Sequence, residues 1–370
     1  MRLKVLQVGM GNNPGGVEAF VMNYYRELSD RVDFDFVSMY GSLAYEEEIR
    51  ARGGRVFLVP NVKRDYFGYV RAMRALLQAG KYDVVHVNML SAANILPLKL
   101  AKEAGVRQIA AHSHNASAPG LHRKVLHLWN RAKVRKYATV KVACSEKAGR
   151  WMFGDAAFDR GEVLLLFNAI DAERFLFSPE KRRTMRERLG LSDAFVVGHV
   201  GRFQAQKNHE RILDIFRDIS EKEPKARLLL VGGGELAGRI REKAEAAGLS
   251  DRVTFAGVCD NVEDYLSAMD VFLFPSLFEG MPFTLVEAQA NGLPCVISDT
   301  ITQEVVLDKN NVCSLSLEQG NEAWTAALLA AKKSENRTDV SAKKELLRAA
   351  HLDIHEEAGR LLELYQGLIR

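Results

Sequence analysis

Glu279 and Glu287 stand eight residues apart in a run that leaves the apolar segment Val271–Phe274, crosses a loop bearing Glu279-Gly280, and enters a helix opening near Pro282. Two carboxylates so placed can serve as an acid and base pair, as in glycoside hydrolases, or accept hydrogen bonds from sugar hydroxyls. The C-terminal end of a strand, where a helix follows, is where open α/β sheets bind ligands. A second such junction reads Gly201-Arg202-Phe203, with Lys207 five residues after Arg202 and a helix opening at about Asn208. A guanidinium fork beside an ammonium suits a diphosphate. With that neighbour, the carboxylates are expected to accept sugar hydroxyls, Glu287 from a ribose and Glu279 from a transferred sugar. A solvated Arg/Lys pair and an exposed loop acid are the plainer alternatives.

Glycine-bearing junctions recur. Gly9, Gly11, Gly15 and Gly16 follow the first apolar run and open a helix, where backbone can approach a phosphate or sugar and a helix N-terminus favours an anion. A tight turn alone is the alternative. The dinucleotide fingerprint is broken, because Pro14 stands where its third glycine belongs. Gly232-Gly233-Gly234 ends another strand, and Gly233 would line the same crevice. His86, His112 and His114 end two further strands, but a metal site needs more ligands. Asp33-Phe34-Asp35 falls inside a strand, and His351/His355 reads as a solvated helix face. Neither a metal nor a cofactor is expected.

Residues 115–145 hold seven Lys/Arg and no acid, interleaved with Leu121, Val125, Leu126, Leu128, Trp129 and Val134. That spells a basic amphipathic helix over 121–136, either lying on an anionic membrane surface or packed on the core with a solvated basic face. Nucleic acid is not expected as a partner, since no recognition motif accompanies the charge. The net charge of +4 hides 26 Lys+Arg against 17 Asp+Glu in residues 1–175, and 25 against 30 in residues 176–370. A basic first half points to an anionic partner there. The four cysteines are scattered, with no disulfide framework. The strand-like start and the lack of a run of about 18 apolar residues predict neither a signal peptide nor a membrane span, hence a cytoplasmic protein.

Positioning these residues requires alternating strands and helices. Strand candidates are Lys4–Val8, Asp33–Ser38, Val56–Val59, Val84–Val87, Gln108–His112, Thr139–Ala143 and Val163–Leu166, then Phe195–Val200, Arg227–Val231, Val253–Phe255, Val271–Phe274 and Cys295–Ile297. Amphipathic segments such as Val17–Leu28, His209–Ile219 and Phe283–Ala290 separate them. The alternation predicts α/β architecture with parallel sheets covered on both faces. About twelve strands are too many for one ordinary sheet. Two doubly wound, Rossmann-like domains are expected, residues 1–171 and 172–353, with a final helix over 354–370 packing back on the first.

Together these residues resemble the retaining GT-B glycosyltransferases of family 4, the glycosyl transferases group 1 domain. The resemblance rests on Glu279-x7-Glu287, Gly201-Arg202-Phe203 with Gln206-Lys207-Asn208-His209, Ser145-Glu146, Phe167-Asn168-Ala169-Ile170-Asp171 and Gly15-Gly16-Val17-Glu18. It covers essentially the whole chain. Ala111-His112-Ser113-His114-Asn115 and Ile297-Ser298-Asp299-Thr300-Ile301 resemble the bacterial exopolysaccharide and capsular polysaccharide branch. The resemblance implies two domains facing across a cleft and metal-independent transfer of a sugar from a nucleoside diphosphate donor, UDP by family frequency. The implied acceptor is a saccharide or lipid-linked saccharide. Arg202 and Lys207 would bind the diphosphate, Glu287 the ribose and Glu279 the sugar. His114 would be the active-site histidine, and Gly15 and Gly16 would lie near the donor. Ala169 replaces the commoner Gly, and Met281-Pro282-Phe283 departs from the commoner Phe-Gly beside Gly280, where the donor sugar is met. A nucleotide-sugar 2-epimerase of the same fold, or a non-catalytic sugar-nucleotide binding protein, are the alternatives.

Overall fold

The computed structural model describes residues 2–117, 120–279, 281–332, 337 and 339–369. The chain divides into two compact units, Met1–Ala169 with Ile354–Arg370, and Ile170–Asp353. The change of unit falls between Ala169 and Ile170, two residues before the expected boundary. Ile170 belongs with the second unit because it pairs in parallel with Asp353, and its N–H donates to the Leu352 carbonyl at 2.9 Å.

The first unit contains β1 (Leu3–Val8), β2 (Val32–Ser38), β3 (Arg55–Leu58), β4 (Val84–Met89), β5 (Gln108–Ser113), β6 (Val140–Ala143) and β7 (Val163–Leu165). They form one parallel sheet in the order β3-β2-β1-β4-β5-β6-β7. All six residues of β4 and of β5 are buried, as expected of central parallel strands covered on both faces. The helix Gly16–Leu28 packs against the final helix Ile354–Gln366, which buries Leu361, Leu364 and Tyr365.

The second unit contains β8 (Phe195–Val200), β9 (Ala226–Val231), β10 (Val253–Gly257), β11 (Val271–Phe274), β12 (Cys295–Ser298) and β13 (Val312–Leu315), ordered β10-β9-β8-β11-β12-β13 and again all parallel. Its core joins Phe195, Val197, Leu228 and Leu230 of the sheet to Phe216 of the helix His209–Lys222 and Trp324 of the helix Asn321–Ala331. The strand β13 escaped the sequence reading. It is an edge strand of four residues, Val-Cys-Ser-Leu, none of them fully buried, so it carries no apolar run.

In each sheet the order reverses next to the strand that opens it, at β1/β4 and at β8/β11. Crossovers on the two sides of such a point leave in opposite directions and open a crevice above the strand C-termini. Backbone from neighbouring strand ends comes very close there. Gly232 has φ +134°, and a Cβ on it would lie 2.2 Å from the Gly201 carbonyl oxygen. Gly232→Ala is therefore expected to cost about 2 kcal/mol or more, because positive φ and a backbone clash act together. Gly238 lies in the helix Ala237–Ala246 with open space where a Cβ would go. Gly238→Ala should stabilise by roughly 0.5–1 kcal/mol. Denaturant midpoints of the two variants moving in the same direction would contradict this account.

Candidate active site

The loop after β8 and the loop after β11 are stitched together. Leu277 N–H donates to the Gln206 carbonyl at 2.8 Å, Gln206 Nε2 donates to the Phe278 carbonyl at 2.8 Å, and Asn208 Nδ2 donates to the Pro275 carbonyl at 3.1 Å. Asn208 is left-handed at φ +57°, a conformation asparagine tolerates better than most residues, and it starts the helix His209–Lys222. Beneath the β11 loop, Ser298 and Thr300 hydroxyls both donate to the Ser276 carbonyl, at 2.6 and 3.0 Å.

This scaffold brings Lys207 and Glu279 into a direct ion pair, Nζ to Oε1 at 2.7 Å, with side chains only 12% and 7% exposed. Gln206 Nε2 donates to the other carboxylate oxygen of Glu279 at 3.1 Å. The Lys207 ammonium also lies 4.5 Å from the centroid of the Phe274 ring. Its stem runs over Gly201, where a Cβ would come within 3.3 Å of Lys207 Cδ. Arg202, on the other side of Gly201, is exposed and reaches towards Glu235 at 3.9 Å. Phe203 N–H donates to the Gly233 carbonyl at 2.9 Å, which ties the β8 and β9 loops together. The glycines of 232–234 thus serve this close approach in the structure.

Gly280 lies outside the described residues. Met281, Pro282 and Phe283 are buried, and Pro282 caps the helix Phe283–Ala290 without a side-chain hydrogen bond. Leu285 and Val286 N–H close its first turn on the Pro282 carbonyl at 3.2 and 3.4 Å, and the positive end of the helix dipole favours an anion or a sugar oxygen there. Glu287 on the same helix is half-buried, and burial pushes its carboxyl up to about 7. Arg174 and Lys207 oppose this shift and Glu263 adds to it. Arg174 is paired with Glu263 at 3.0 Å.

In the first unit the β1 loop carries Gly9 at φ +108°, where a Cβ would lie 2.2 Å from the Asn88 carbonyl oxygen of β4. Gly15 caps the helix Gly16–Leu28 in extended geometry, and a Cβ on Gly16 would meet open space. Glu18 in the first turn accepts from Gly11 N–H at 2.6 Å, so this helix start already holds a carboxylate. His114 follows β5. Its Nε2 is 2.9 Å from Asn88 Oδ1, and its ring stacks on His112 at 4.0 Å between centroids. Burial, with His86 nearby, drives the His114 pKa down to about 3, and burial holds His86 at about 3 as well. Both imidazoles are neutral at physiological pH.

Some site neighbours escaped the sequence reading. Gln206 and Asn208 sit inside the motif that drew attention to Lys207, and a left-handed Asn before a helix is a signal that could have been used. Asn88, Gln7, Arg174 and Tyr365 gave no such signal, because distant strands and helices bring them in.

Other residues singled out in the sequence find partners of their own. Asp35 pairs with Arg55 at 2.6 Å and accepts from the Tyr82 hydroxyl at 2.7 Å inside β2. His355 meets Glu27 at 3.0 Å. Among the described residues no group of three His, Cys, Asp or Glu is placed to hold a metal, and no helix is long and apolar enough to cross a membrane. The basic helix spans Leu121–Tyr137 and buries only His127 and Val134, leaving Leu121, Val125, Leu128 and Trp129 exposed at 79%, 52%, 64% and 72%. Two of its cations are structural: Arg131 and Arg135 donate to the Arg150 and Phe153 carbonyls at the end of the helix Glu146–Phe153.

An acid whose folded pKa is raised opposes folding once it ionises. The stability cost of Glu287 is absent below about pH 4.5, grows as pH rises towards 7 and is full above it. Glu287→Gln should therefore be more stable than the parent at pH 8, with the gap closing by pH 4.5. Urea midpoints whose difference does not change between these pH values would contradict this.

Comparison with known proteins places these loops in context. The family model for glycosyl transferases group 1 matches residues 181–345, and that for Glycosyltransferase Family 4 matches residues 14–174. EpsF of Bacillus subtilis (strain 168), which carries a glycosyltransferase name, is 37% identical over 372 residues, covering 98% of this chain and 96% of its own. The UDP-Gal:alpha-D-GlcNAc-diphosphoundecaprenol alpha-1,3-galactosyltransferase of Escherichia coli is 29% identical over 258 residues, 66% of each chain. The crystal structure of Anabaena Alr3699/HepE in complex with UDP-glucose matches with a TM-score of 0.83 at 18% identity, over 99% of this chain and 100% of that one. The chain belongs to the family 4 glycosyltransferases and has their GT-B architecture of two Rossmann-like domains.

Proposed function

We propose that this glycosyltransferase moves a sugar from a UDP-sugar to a saccharide or lipid-linked saccharide acceptor in surface polysaccharide synthesis, with retention of anomeric configuration and without a metal ion. The observation that carries the reading is the Lys207–Glu279 pair at the β8/β11 reversal, a cation and a carboxylate held 2.7 Å apart by backbone stitching. The UDP-Gal named for the Escherichia coli relative and the UDP-glucose bound by the Anabaena protein support the choice of donor.

In this reading the donor diphosphate shares the Lys207 ammonium, and Arg202 swings from Glu235 to the same anion. Glu279, held by Gln206, accepts from hydroxyls of the sugar, and Glu287 accepts from the ribose. His114, being neutral, orients the sugar rather than carrying charge. The bond between the anomeric carbon and the diphosphate oxygen breaks as the acceptor oxygen attacks from the same face. The acceptor proton passes to the departing diphosphate, whose charge Arg202, Lys207 and the N-terminal end of the helix Phe283–Ala290 stabilise. Gly15, Gly16 and Gly233 contribute backbone near the donor.

The test is a thermal-shift screen of UDP, UDP-glucose, UDP-galactose and GDP-mannose, followed by transfer assays with lipid-linked and free sugar acceptors. UDP compounds should raise the melting temperature by mass action. Lys207→Ala should lower kcat/KM on the order of a hundredfold, the scale for removing one charge-stabilising donor. Glu287→Ala should strongly weaken transfer, and EDTA should leave it within about twofold of its untreated rate. Unchanged transfer by Glu287→Ala would sink the site assignment, and donor isomerisation without acceptor would make the protein an epimerase.

The exposed apolar row on the helix Leu121–Tyr137 lies beside Arg123, Lys124, Lys133 and Lys136, cations not committed to carbonyl caps. We propose that this face rests on an anionic membrane, placing the protein peripherally on the cytoplasmic side. Changing those four residues to Gln should cut binding to phosphatidylglycerol vesicles at least about tenfold, since each basic residue near such a surface contributes roughly 1 kcal/mol. Equal sedimentation of variant and parent would refute it.

A further inference from the structure

The polar side chains beneath the first unit's strand ends form a hydrogen-bond network whose direction is set at one atom. The Val8 carbonyl oxygen can only accept. Asn88 Nδ2 lies 3.2 Å from it and 3.0 Å from Gln7 Oε1, so both amide protons of Asn88 are directed there. A flipped amide would set oxygen against oxygen at Val8. Asn88 Oδ1 is then an acceptor, and the His114 Nε2 at 2.9 Å must carry the proton. The Nδ1 lone pair of His114 has no partner among the described residues.

The second branch continues from Gln7. With Gln7 Oε1 accepting from Asn88, Gln7 Nε2 donates to the Tyr365 hydroxyl at 3.0 Å. Among the described residues the enclosed hydroxyl finds an acceptor for its own proton only at His86 Nδ1, 2.8 Å away, and donates there. His86 is protonated on Nε2 and donates to His112 Nδ1 at 3.1 Å. His112 keeps its proton on Nε2, an atom fully enclosed and without a hydrogen-bond partner. Phe20 holds the outer two rings, 4.6 Å from the centroid of His112 and 5.1 Å from that of His114, both nearly edge to face. The rings cannot turn over without breaking the stack.

We propose that Asn88 is the positioning residue of His114: by locking the imidazole as the Nε2–H tautomer it leaves Nδ1 as a fixed hydrogen-bond acceptor for a hydroxyl of the bound sugar, while Tyr365 of the final helix sets the same direction at His86 and His112. The sugar-facing half of this rests on the donor reading of His114 above; the tautomer does not. A neutral acceptor with a fixed lone pair discriminates between a sugar hydroxyl that can donate and a substituent that cannot. The last helix therefore contributes to the site's hydrogen-bond order as well as to the core.

The test is nitrogen-resolved NMR of the full chain labelled with 15N-histidine, without ligand, at pH 7.5. The nine histidines are assigned by single His→Gln changes. Single Nε2–H tautomers are expected at His86, His112 and His114. Asn88→Ala should turn His114 into a tautomer mixture, its two ring nitrogen shifts moving towards each other. Tyr365→Phe should disturb His86 and His112 and spare His114. In transfer assays with UDP-glucose, Asn88→Ala should lower kcat on the order of tenfold, the effect of one misdirected hydrogen bond. A wild-type His114 protonated on Nδ1, which is readable even if no variant folds, overturns the inference, as does a His114 signal unmoved by Asn88→Ala. A confirmed tautomer with undiminished transfer by Asn88→Ala overturns only the sugar-facing role.

Discussion

Parallel strands must be joined by crossovers that leave the top of the sheet, and where successive crossovers part to opposite sides nothing covers the strand ends between them. Both sheets of this chain have that reversal, at β1/β4 and at β8/β11. The residues capable of chemistry gather there. Because adjacent strands are only about 4.8 Å apart, their exit loops collide unless side chains are removed. Gly9 lies against the Asn88 carbonyl, and Gly232 against that of Gly201. These glycines sit in the loops at the two reversals and are explained by backbone meeting backbone.

The charges at the two reversals are handled differently. At β8/β11 a cation and an anion are buried together, each satisfying the other, with Gln206 completing the carboxylate. Neither would be tolerated alone so far from water. An incoming anion can take over the cation without leaving it unpaired. At β1/β4 the buried polar groups are neutral. Three imidazoles, two amides and a phenol donate to one another in a single direction that ends at the enclosed, unpartnered His112 Nε2, and enclosure keeps the imidazoles uncharged. The first arrangement suits an anionic group, the second a hydroxyl.

The helix Leu121–Tyr137 follows another logic. It buries little, yet it is anchored, because Arg131 and Arg135 cap the carbonyls of the next helix and His127 stacks on Trp151 at 3.7 Å. These anchors hold the apolar row exposed, whereas a loosely attached helix would turn it inward; exposed apolar patches commonly mark interaction surfaces.

The chain's sequence alone determined the alternation of strands and helices, since buried parallel strands are runs of apolar residues that local reading detects. Twelve strands were legible and the polar edge strand β13 was not, for want of such a run. Arg202 and Glu279 drew attention because each stands within five residues of a strand end, and Lys207 and Glu287 by their spacing from those two. What those residues touch was decided by tertiary structure. Lys207 and Glu279 are 72 residues apart, and only the adjacency of β8 and β11 joins them. Tyr365 reaches His86 across 279 residues through the packing of the final helix. Local pattern reports what a residue's own element demands. Hydrogen-bond direction, buried pairing and the protonation they enforce depend on which elements become neighbours, and that is a property of the assembled sheets.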